Sequence, residues 1–256
     1  MLIVISPAKT LDYDSPAGTK MSTTPDFLDS SQELIEILRK YSKKDLMSLM
    51  SISDKIATLN YGRYKQWKLP LSTDNAKQAI YAFKGDVYTG LDIDQFNAAD
   101  VKYCQKHLRI LSGLYGLLRP LDLLFPYRLE MGTRLKNKSG ANLYAYWGDV
   151  ITDAINKELK KQKEPILVNL ASNEYFKAVR AKNLKGELIT PEFKEYKNGD
   201  YKMIGVYAKR ARGLMSSYIL RNRIESAEGL KEFNVDGYKF SKKLSTDNQY
   251  VFTRKQ

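Results

Sequence analysis

Apolar and polar positions follow two different periods along this chain, and the changes of period mark its predicted elements. Four consecutive apolar residues, Leu2 to Ile5, predict a short buried strand. Further apolar or alternating runs predict more strands, bounded by polar and turn-forming residues. They are Ile166 to Leu170, Glu187 to Thr190, Lys202 to Ala208, and a terminal pair at Tyr238 to Phe240 and Gln249 to Thr253.

Helical spacing of apolar residues predicts several helices between these strands. Thr24-Pro25 is typical of an N-cap followed by proline in the first turn, so the first helix is predicted from there to about Tyr41. Ser42, with Asp45 three residues later, resembles a capping box and starts the next helix. The others are predicted at Asn75 to Phe83, Ala98 to Leu111, Asp149 to Lys161, Glu174 to Arg180 and Gly213 to Arg223.

The order of the elements predicts the fold class. Strands and helices neither alternate strictly nor segregate, which favours an α+β fold with a mixed β-sheet surrounded by helices. The 256 residues are 43% hydrophobic, enough for a sizeable core, and they contain no linker or internal repeat. We therefore expect a single domain over residues 1–256.

Composition also bears on the compartment. No apolar run approaches the roughly 20 residues of a membrane span, and the amino terminus lacks the pattern of a signal peptide. The chain has one cysteine, Cys104, so it can form no intrachain disulfide. These features predict a cytoplasmic protein that does not use the membrane.

Positive charge is concentrated in the second half of the chain. The formal net charge is +13, and residues 129–256 hold 25 basic and 15 acidic side chains, against 17 and 14 in residues 1–128. The stretch from Tyr201 to Ile224 has no carboxylate at all. Its six cations are Lys202, Lys209, Arg210, Arg212, Arg221 and Arg223. Such a run favours a polyanionic partner, since ordinary surfaces mix the two signs.

A helical hairpin between Ser42 and Trp67 is a candidate for binding nucleic acid. In DNA-binding helix-hairpin-helix elements, glycines in the turn let backbone N–H groups contact a phosphate. Serine stands at both such positions here, Ser51 and Ser53, and serine lacks the freedom of glycine at positive φ. Lys55 and Arg63 add charge beyond the turn. The alternative interpretation is a purely structural pair of helices.

The loop that follows the first predicted strand is a candidate anion or nucleotide site. Ser6, Lys9 and Thr10 supply two hydroxyls and an ammonium group where a buried strand ends, although the glycines of a P-loop are missing. An ordinary turn with a solvated lysine is the alternative. Arg119, at the end of a segment with glycines at 113 and 116, is a further candidate for the same site.

The residues indicate no known catalytic or metal-binding arrangement. Cys104 and His107 share one helix face, but no third group orients them, so a buried thiol and a structural histidine are preferred. One cysteine and one histidine do not make a zinc or iron site, and no cofactor is predicted. The nominal carboxylates for a magnesium site are Asp86, Asp122, Glu130 and Glu174.

Several long motifs, spread over nearly the full chain and in a fixed order, resemble the peroxide stress resistance protein YaaA family. They are ISPAKTLDY, QAIYAFKGDVYTGL, HLRILSGLYGLLRPLDLL, PYRLEMG, NLASNEYFKAV and YAKRARGLM. The resemblance implies a cytoplasmic, single-domain protein of "cactus" fold. It also implies binding of duplex DNA through a helix-hairpin-helix element and a positively charged cleft, and a link to lowering of free intracellular iron.

The matching motifs place the implied DNA-binding residues on two segments. The hairpin falls on Ser51-Ile52-Ser53-Asp54-Lys55 and the basic motif on Lys209-Arg210-Ala211-Arg212. Arg63, Arg221 and Arg223 supply the surrounding charge. The expected partner is duplex DNA, bound with little sequence specificity. An enzyme acting on a nucleotide or phosphorylated metabolite near Ser6 to Thr10 is the alternative, and association with RNA or an acidic protein is a third. Oligomeric state stays open.

Overall fold

Eight strands form the largest sheet of the molecule, and the amino-terminal strand lies in its interior. The computed structural model describes residues 1–255. The strands are β1 (Leu2–Ile5), β2 (Thr10–Leu11), β3 (Lys77–Gln78), β4 (Phe83–Lys84), β5 (Leu108–Ser112), β6 (Gly116–Leu118), β7 (Leu123–Leu124), β8 (Ile166–Leu170), β9 (Glu187–Lys197), β10 (Asp200–Lys202), β11 (Lys239–Phe240) and β12 (Gln249–Arg254).

Helices flank this sheet, and four short 3-10 helices connect elements. The α-helices are α1 (Leu28–Leu38), α2 (Lys43–Met50), α3 (Asp54–Gln66), α4 (Ala79–Ala82), α5 (Asp86–Leu91), α6 (Ala98–His107), α7 (Leu143–Trp147), α8 (Val150–Leu159), α9 (Asn173–Phe176), α10 (Gly205–Arg221) and α11 (Ala227–Lys231). The 3-10 helices are Ile93–Gln95, Ala181–Asn183, Val235–Gly237 and Lys242–Leu244. The predicted α+β class and mixed sheet are confirmed.

The order of the strands decides where a ligand can bind. Across the sheet the order is β11-β12-β9-β8-β1-β5-β6, with β10 paired to β9. Five of these strands are parallel: β5, β1, β8, β9 and β12. If these five strands are numbered 1 to 5 by their order along the chain, their order across the sheet is 2-1-3-4-5. The chain thus moves from β1 to one side of the sheet and later returns to the other side, at β8.

Burial in the core explains why the strands β1 and β8 could be predicted from the sequence. Every residue of both strands is buried, as expected for parallel strands covered on both faces. The predicted bounds of these two strands are confirmed. The capping box at Ser42 is also confirmed, since its Oγ accepts the Asp45 N–H and the Asp45 side chain accepts the Ser42 N–H.

The predicted strand Lys202 to Ala208 is wrong. Of its residues only Lys202 belongs to a strand, as the last residue of β10, and α10 begins at Gly205, before the predicted helix start at Gly213. Ala208, Ala211 and Met215 are buried and lie three or four residues apart. They therefore form one buried helix face, and this face begins before the predicted helix start at Gly213. The basic motif therefore lies wholly on a helix.

The predicted helix Ala98 to Leu111 is wrong in its last part. The helix α6 ends at His107, and Leu108–Ser112 forms β5, in which all five residues are buried beside β1. Helix Asn75 to Phe83 is reduced to α4, and helix Glu174 to Arg180 to α9. Strand Glu187 to Thr190 continues to Lys197 because β12 and β10 pair with its later residues.

The first predicted helix begins later than expected. Thr24 is not its N-cap: Phe27 occupies that position, and α1 runs from Leu28 to Leu38. Thr23, the residue before Thr24, forms a bridge to Asp122. The terminal strands are confirmed, and they pair with each other antiparallel, with Phe240 opposite Phe252. Within residues 1–255, no helix is both long and apolar enough to cross a bilayer.

Candidate functional site

A cleft opens where β1 and β8 end. The two strands are parallel neighbours, so the residues that follow them lie side by side. The Ser172 N–H donates to Ser6 Oγ at 2.8 Å, and the two hydroxyl oxygens are 3.3 Å apart. This edge is also the point where the strand order reverses, which is where open parallel sheets bind their ligands. The topology therefore indicates a binding site.

Four segments line this cleft, which has a volume of about 410 Å³. They are residues 6–10 after β1, residues 84–88 from β4 into α5, three residues after β8 (Ser172, Glu174 and Tyr175), and two cations of α10 (Lys209 and Arg212). The volume lies within the range of small-molecule sites. The candidate loop Ser6, Lys9 and Thr10 is thus brought together with part of the basic motif, although the two are about 200 residues apart in sequence.

The cations of α10 reach the cleft because they share a helix face. Lys209 and Arg212 are three residues apart, and such residues are neighbours on a helix surface. Lys209 is exposed and Arg212 is partly buried. Burial lowers the pKa of the Arg212 guanidinium from its ordinary value. Within residues 1–255, no carboxylate oxygen lies within 4.0 Å of it. A positive charge held in this way favours an anionic ligand.

Lys9 is positioned by an ion network at the edge of the cleft. Its Nζ lies 2.8 Å from one oxygen of Glu130, whose other oxygen accepts from Arg128 Nη2 at 2.9 Å. Lys9 is 64% exposed, so its pair with Glu130 contributes little to stability. An incoming anion can therefore compete with Glu130 for the ammonium group.

Two carboxylates also line the cleft. Asp86 opens α5, and Glu174 lies on α9, where one of its oxygens accepts the Gly132 N–H at 3.0 Å. Neither has a lysine or arginine nitrogen within 4.0 Å among residues 1–255. The cleft therefore offers acceptors as well as cations, which a surface specialised for the phosphate backbone alone would not need.

Two buried tyrosines, Tyr88 and Tyr175, line the cleft. The Tyr88 hydroxyl donates to the Ser6 carbonyl oxygen at 3.1 Å. Burial raises the pKa of both Tyr88 and Tyr175 well above the ordinary value. Both hydroxyl groups are therefore protonated and uncharged near neutral pH, and neither tyrosine is an acid or base there.

Two glycines set the spacing between α5 and α10. A Cβ on Gly213 would lie 1.9 Å from the Val87 carbonyl oxygen, and one on Gly90 would lie 2.2 Å from the Arg210 carbonyl oxygen. Neither position can carry a side chain without moving a backbone. This contact brings α5, which begins at Asp86, against α10, which carries Arg212, and both residues line the cleft. It also explains why glycine follows the basic motif.

The helical hairpin of α2 and α3 is present, and Ser51 has the left-handed backbone expected of glycine, with φ of 51°. Ser53 is the N-cap of α3, although its side chain makes no capping hydrogen bond. Lys55 is exposed, and Arg63 is partly buried. Burial lowers the pKa of Arg63. The helix-hairpin-helix character of this element remains a proposal, since any pair of helices can share this outline.

A chain of contacts connects the hairpin with the cleft. The Tyr64 hydroxyl, on α3, lies 3.9 Å from the sulfur of Met50 at the end of α2 and donates to the Arg128 carbonyl oxygen. Arg128 binds Glu130, and Glu130 binds Lys9. The hairpin and the cleft are therefore joined through Tyr64, the carbonyl group and side chain of Arg128, and Glu130.

Arg119 does not join the cleft. Its Nη2 lies 2.9 Å from Asp122 and 3.1 Å from Asp26, and it lines a separate groove with Arg109 and Glu158. Desolvation, which lowers the pKa of Arg119, is outweighed by Asp122 and Asp26, which raise it. Of the sequence candidates for one anion site, the structure brings together Ser6, Lys9 and Thr10 and leaves Arg119 elsewhere.

The remaining cations of the acid-free stretch have different surroundings. Arg210 and Arg221 are exposed on α10. Arg223 is neutralised by a residue distant in sequence, since its Nη2 lies 2.5 Å from Asp100 and its guanidinium stacks on Tyr103 at 4.3 Å. The absence of carboxylates from a stretch of sequence therefore does not leave every cation of that stretch without a partner.

The single cysteine and histidine are structural. Cys104 is fully buried, and burial raises the pKa of its thiol. His107 Nδ1 lies 2.9 Å from the Met1 carbonyl oxygen, and its ring stacks on Tyr103 at 3.9 Å. Within residues 1–255, no three His, Cys, Asp or Glu side chains are placed to bind one metal ion. Of the nominal magnesium carboxylates, Asp86 and Glu174 share the cleft, and Asp122 does not.

Sequence reasoning missed several cleft residues, namely Lys84, Tyr88, Ser172 and Tyr175. One signal was present: Ser172 follows an apolar strand just as Ser6 does, and two such loops meet when their strands are parallel neighbours. Residues 84–88 lie within the motif QAIYAFKGDVYTGL, but their place in the cleft depends on the close packing of α5 against α10.

Comparison with known proteins gives consistent relatives over the whole chain. The family described as "Peroxide stress protein YaaA" matches residues 1–244. A "UPF0246 protein" of Shewanella sediminis is 58% identical over 256 residues, covering 100% of both chains. Others of the same description are 56% identical in Shewanella oneidensis, covering 99% of both chains, and 54% identical in Cellvibrio japonicus, covering 100% of this chain and 99% of the relative.

Proposed function

Because this chain belongs to the peroxide stress protein YaaA family, we propose that it acts in the peroxide stress response by binding duplex DNA. The binding surface comprises the cleft, the exposed cations of α10 and the α2–α3 hairpin. One observation carries the proposal: Lys9, Lys209 and Arg212 converge on one cleft, and Arg212 has no carboxylate within 4.0 Å among residues 1–255.

The affinity is expected to come mainly from phosphate contacts. Lys55 and Arg63 on α3, and Arg210 and Arg221 on α10, supply further positive charge. Phosphate contacts position a protein on DNA without carrying sequence information. Binding is therefore proposed to be only weakly sequence-specific.

An effect on free iron is proposed to be indirect. The chain contains one cysteine and one histidine, and the thiol of Cys104 is buried. Iron sites in proteins draw mainly on these two ligand types and on clustered carboxylates. Shielding of DNA is a route that these residues can support.

The test is a fluorescence anisotropy titration of two unrelated duplexes of equal length over a series of salt concentrations. If about five or six phosphates are neutralised, log K falls against log salt with a slope of roughly −5. The two duplexes are expected to bind with similar affinity. The absence of binding at low salt, or a binding constant that does not change with salt concentration, would refute the proposal. A duplex RNA competitor tests the third partner class.

A second candidate function is an enzyme that acts on a nucleotide or a phosphorylated metabolite. The observation that favours it is the presence of Asp86, Glu174 and the Ser6–Ser172 pair in the same cleft as the cations. A thermal-shift screen with nucleotides distinguishes it, because a ligand that binds only the native state raises the melting temperature. The shift should disappear in Lys9→Ala. A screen without any shift counts against this function.

A further inference from the structure

We infer that the cleft is a site for the phosphorylated end of a DNA strand, and takes one terminal nucleotide rather than a length of continuous backbone. The inference rests on the proposed DNA binding and adds a specific ligand for its central cleft. The chemistry recognised is that of a nucleoside monophosphate, which is supplied by a strand end or by a free nucleotide.

The first argument is the charge of the ligand. A phosphomonoester carries about −1.5 to −2 charges near neutral pH, whereas each phosphodiester of continuous DNA carries one. Four cations line a single cleft of about 410 Å³. Lys9 and Lys84 pair with Glu130 and Asp12, whereas Lys209 and Arg212 have no carboxylate oxygen within 4.0 Å among residues 1–255. Charge-assisted hydrogen bonds from several cations to one group suit a dianion best.

The second argument is the distribution of carboxylates. Each strand of duplex DNA presents one negative charge per roughly 3.4 Å of helix axis, so a strand passing through the cleft would bring successive phosphates towards both carboxylates, Asp86 and Glu174. A terminal nucleotide brings its phosphate to the cations only. Its base then offers amino hydrogens, which the carboxylate and serine oxygens can accept.

The third argument is the size of the cleft. The buried rings of Tyr88 and Tyr175 and the loops that end β1 and β8 line it. Tyr88 is held in place through the Ser6 carbonyl oxygen. A volume of about 410 Å³ is that of a small-molecule site, so it suits one terminal nucleotide rather than a length of duplex. Radical cleavage of a DNA sugar leaves phosphomonoester ends, so the site fits a protein of the peroxide stress response.

The test compares labelled duplexes of one sequence in an anisotropy assay: a dumbbell closed by hairpins at both ends, a duplex with hydroxyl ends, and duplexes with a 5′-phosphate or a 3′-phosphate. One of the phosphorylated duplexes is expected to bind at least about tenfold tighter than the dumbbell, as one or more additional charge-assisted hydrogen bonds allow. The preference should be lost in Arg212→Gln and in Lys209→Gln.

Lys163→Gln is the matched control. Lys163 is an exposed cation just before β8, at the opposite edge of the sheet from the cleft, so this variant should keep the full end preference. Lys209 is exposed, which makes Lys209→Gln the safer variant if Arg212→Gln fails to fold.

The outcomes separate the two levels of the proposal. Equal affinity for the dumbbell and all open duplexes overturns end recognition and leaves DNA binding intact. Binding to none of the duplexes overturns both. If a nucleoside monophosphate binds as tightly as the phosphorylated end, the ligand is the free nucleotide and end recognition is overturned. If the monophosphate binds more weakly yet abolishes the end preference in competition, end recognition is supported.

Discussion

The close contact between α5 and α10 gives the sharpest test of the fold around the cleft. In Gly213→Ala, the new Cβ would lie 1.9 Å from the Val87 carbonyl oxygen, 2.7 Å from the Leu91 nitrogen and 2.9 Å from the Gly90 carbonyl carbon. All three are backbone atoms, so no side chain can rotate away. Ordinary contacts begin at 3.4 Å, and α5 must therefore retreat by about 1.5 Å, the difference between these distances.

The size of the effect follows from two opposing contributions. Replacing glycine by alanine inside a helix stabilises by about 1 kcal/mol. Overpacking typically costs about 1–3 kcal/mol and occasionally more, and a clash with backbone belongs at the upper end of that range. Gly213→Ala should therefore lower the free energy of unfolding by about 2 kcal/mol. It should also weaken DNA binding, because α5 carries Asp86 and Tyr88 in the cleft wall.

Gly62→Ala is the control, since a Cβ at Gly62 meets no heavy atom within 4 Å. This variant should raise the free energy of unfolding by about 0.5–1 kcal/mol. Urea denaturation followed by circular dichroism measures both values under one set of conditions. If Gly213→Ala is as stable as the unmodified protein while Gly62→Ala is stabilised as expected, the account of the α5–α10 contact is refuted.

Three further substitutions test individual side chains. Glu130→Gln releases Lys9 from an exposed ion pair worth about 0.2–1 kcal/mol; DNA affinity by anisotropy should rise up to about fivefold, and weaker binding would contradict the role of Lys9. Arg119→Ala leaves the buried Asp122 carboxylate unpaired; urea unfolding should show a loss of about 1–3 kcal/mol with unchanged DNA affinity. Burial lowers the pKa of His107 below its ordinary 6.5, so the folded state favours the neutral ring. The stability that this ring contributes is complete above 6.5 and is lost as pH falls through the lowered pKa. The difference in unfolding free energy between the native protein and His107→Gln should shrink as pH falls, and a constant difference would be the contrary result.

The parts of the fold predicted correctly are those where local sequence and tertiary burial agree. Leu2–Ile5 and Ile166–Leu170 are apolar runs of strand length, and both are fully buried strands. Leu108–Ser112 has the same character, yet it directly continues the pattern of α6, and a short apolar run does not by itself distinguish strand from helix. The neighbouring strand β1, supplied by the tertiary fold, decides the matter.

The basic motif shows the same limit at the site. Residues 202–208 combine apolar, aromatic and β-branched side chains, which favour a strand, but the buried stripe that includes Ala208 and Ala211 requires a helix. Ser6, Lys9 and Thr10 were recognisable because they follow a strand. That Arg212 joins them, and that Arg119 does not, depends on sheet order and helix packing, which no local pattern records.

The central claim is that exposed cations of α10 outside the cleft bind the DNA backbone. The most direct measurement is the salt dependence of duplex affinity for the native protein and for the double variant Arg210→Gln/Arg221→Gln, with Lys163→Gln as control. Each lost phosphate contact reduces the slope of log K against log salt by about 0.9. The double variant should therefore bind more weakly, with a slope less steep by about 1.8. Identical affinity and slope in the double variant and the native protein would contradict the claim.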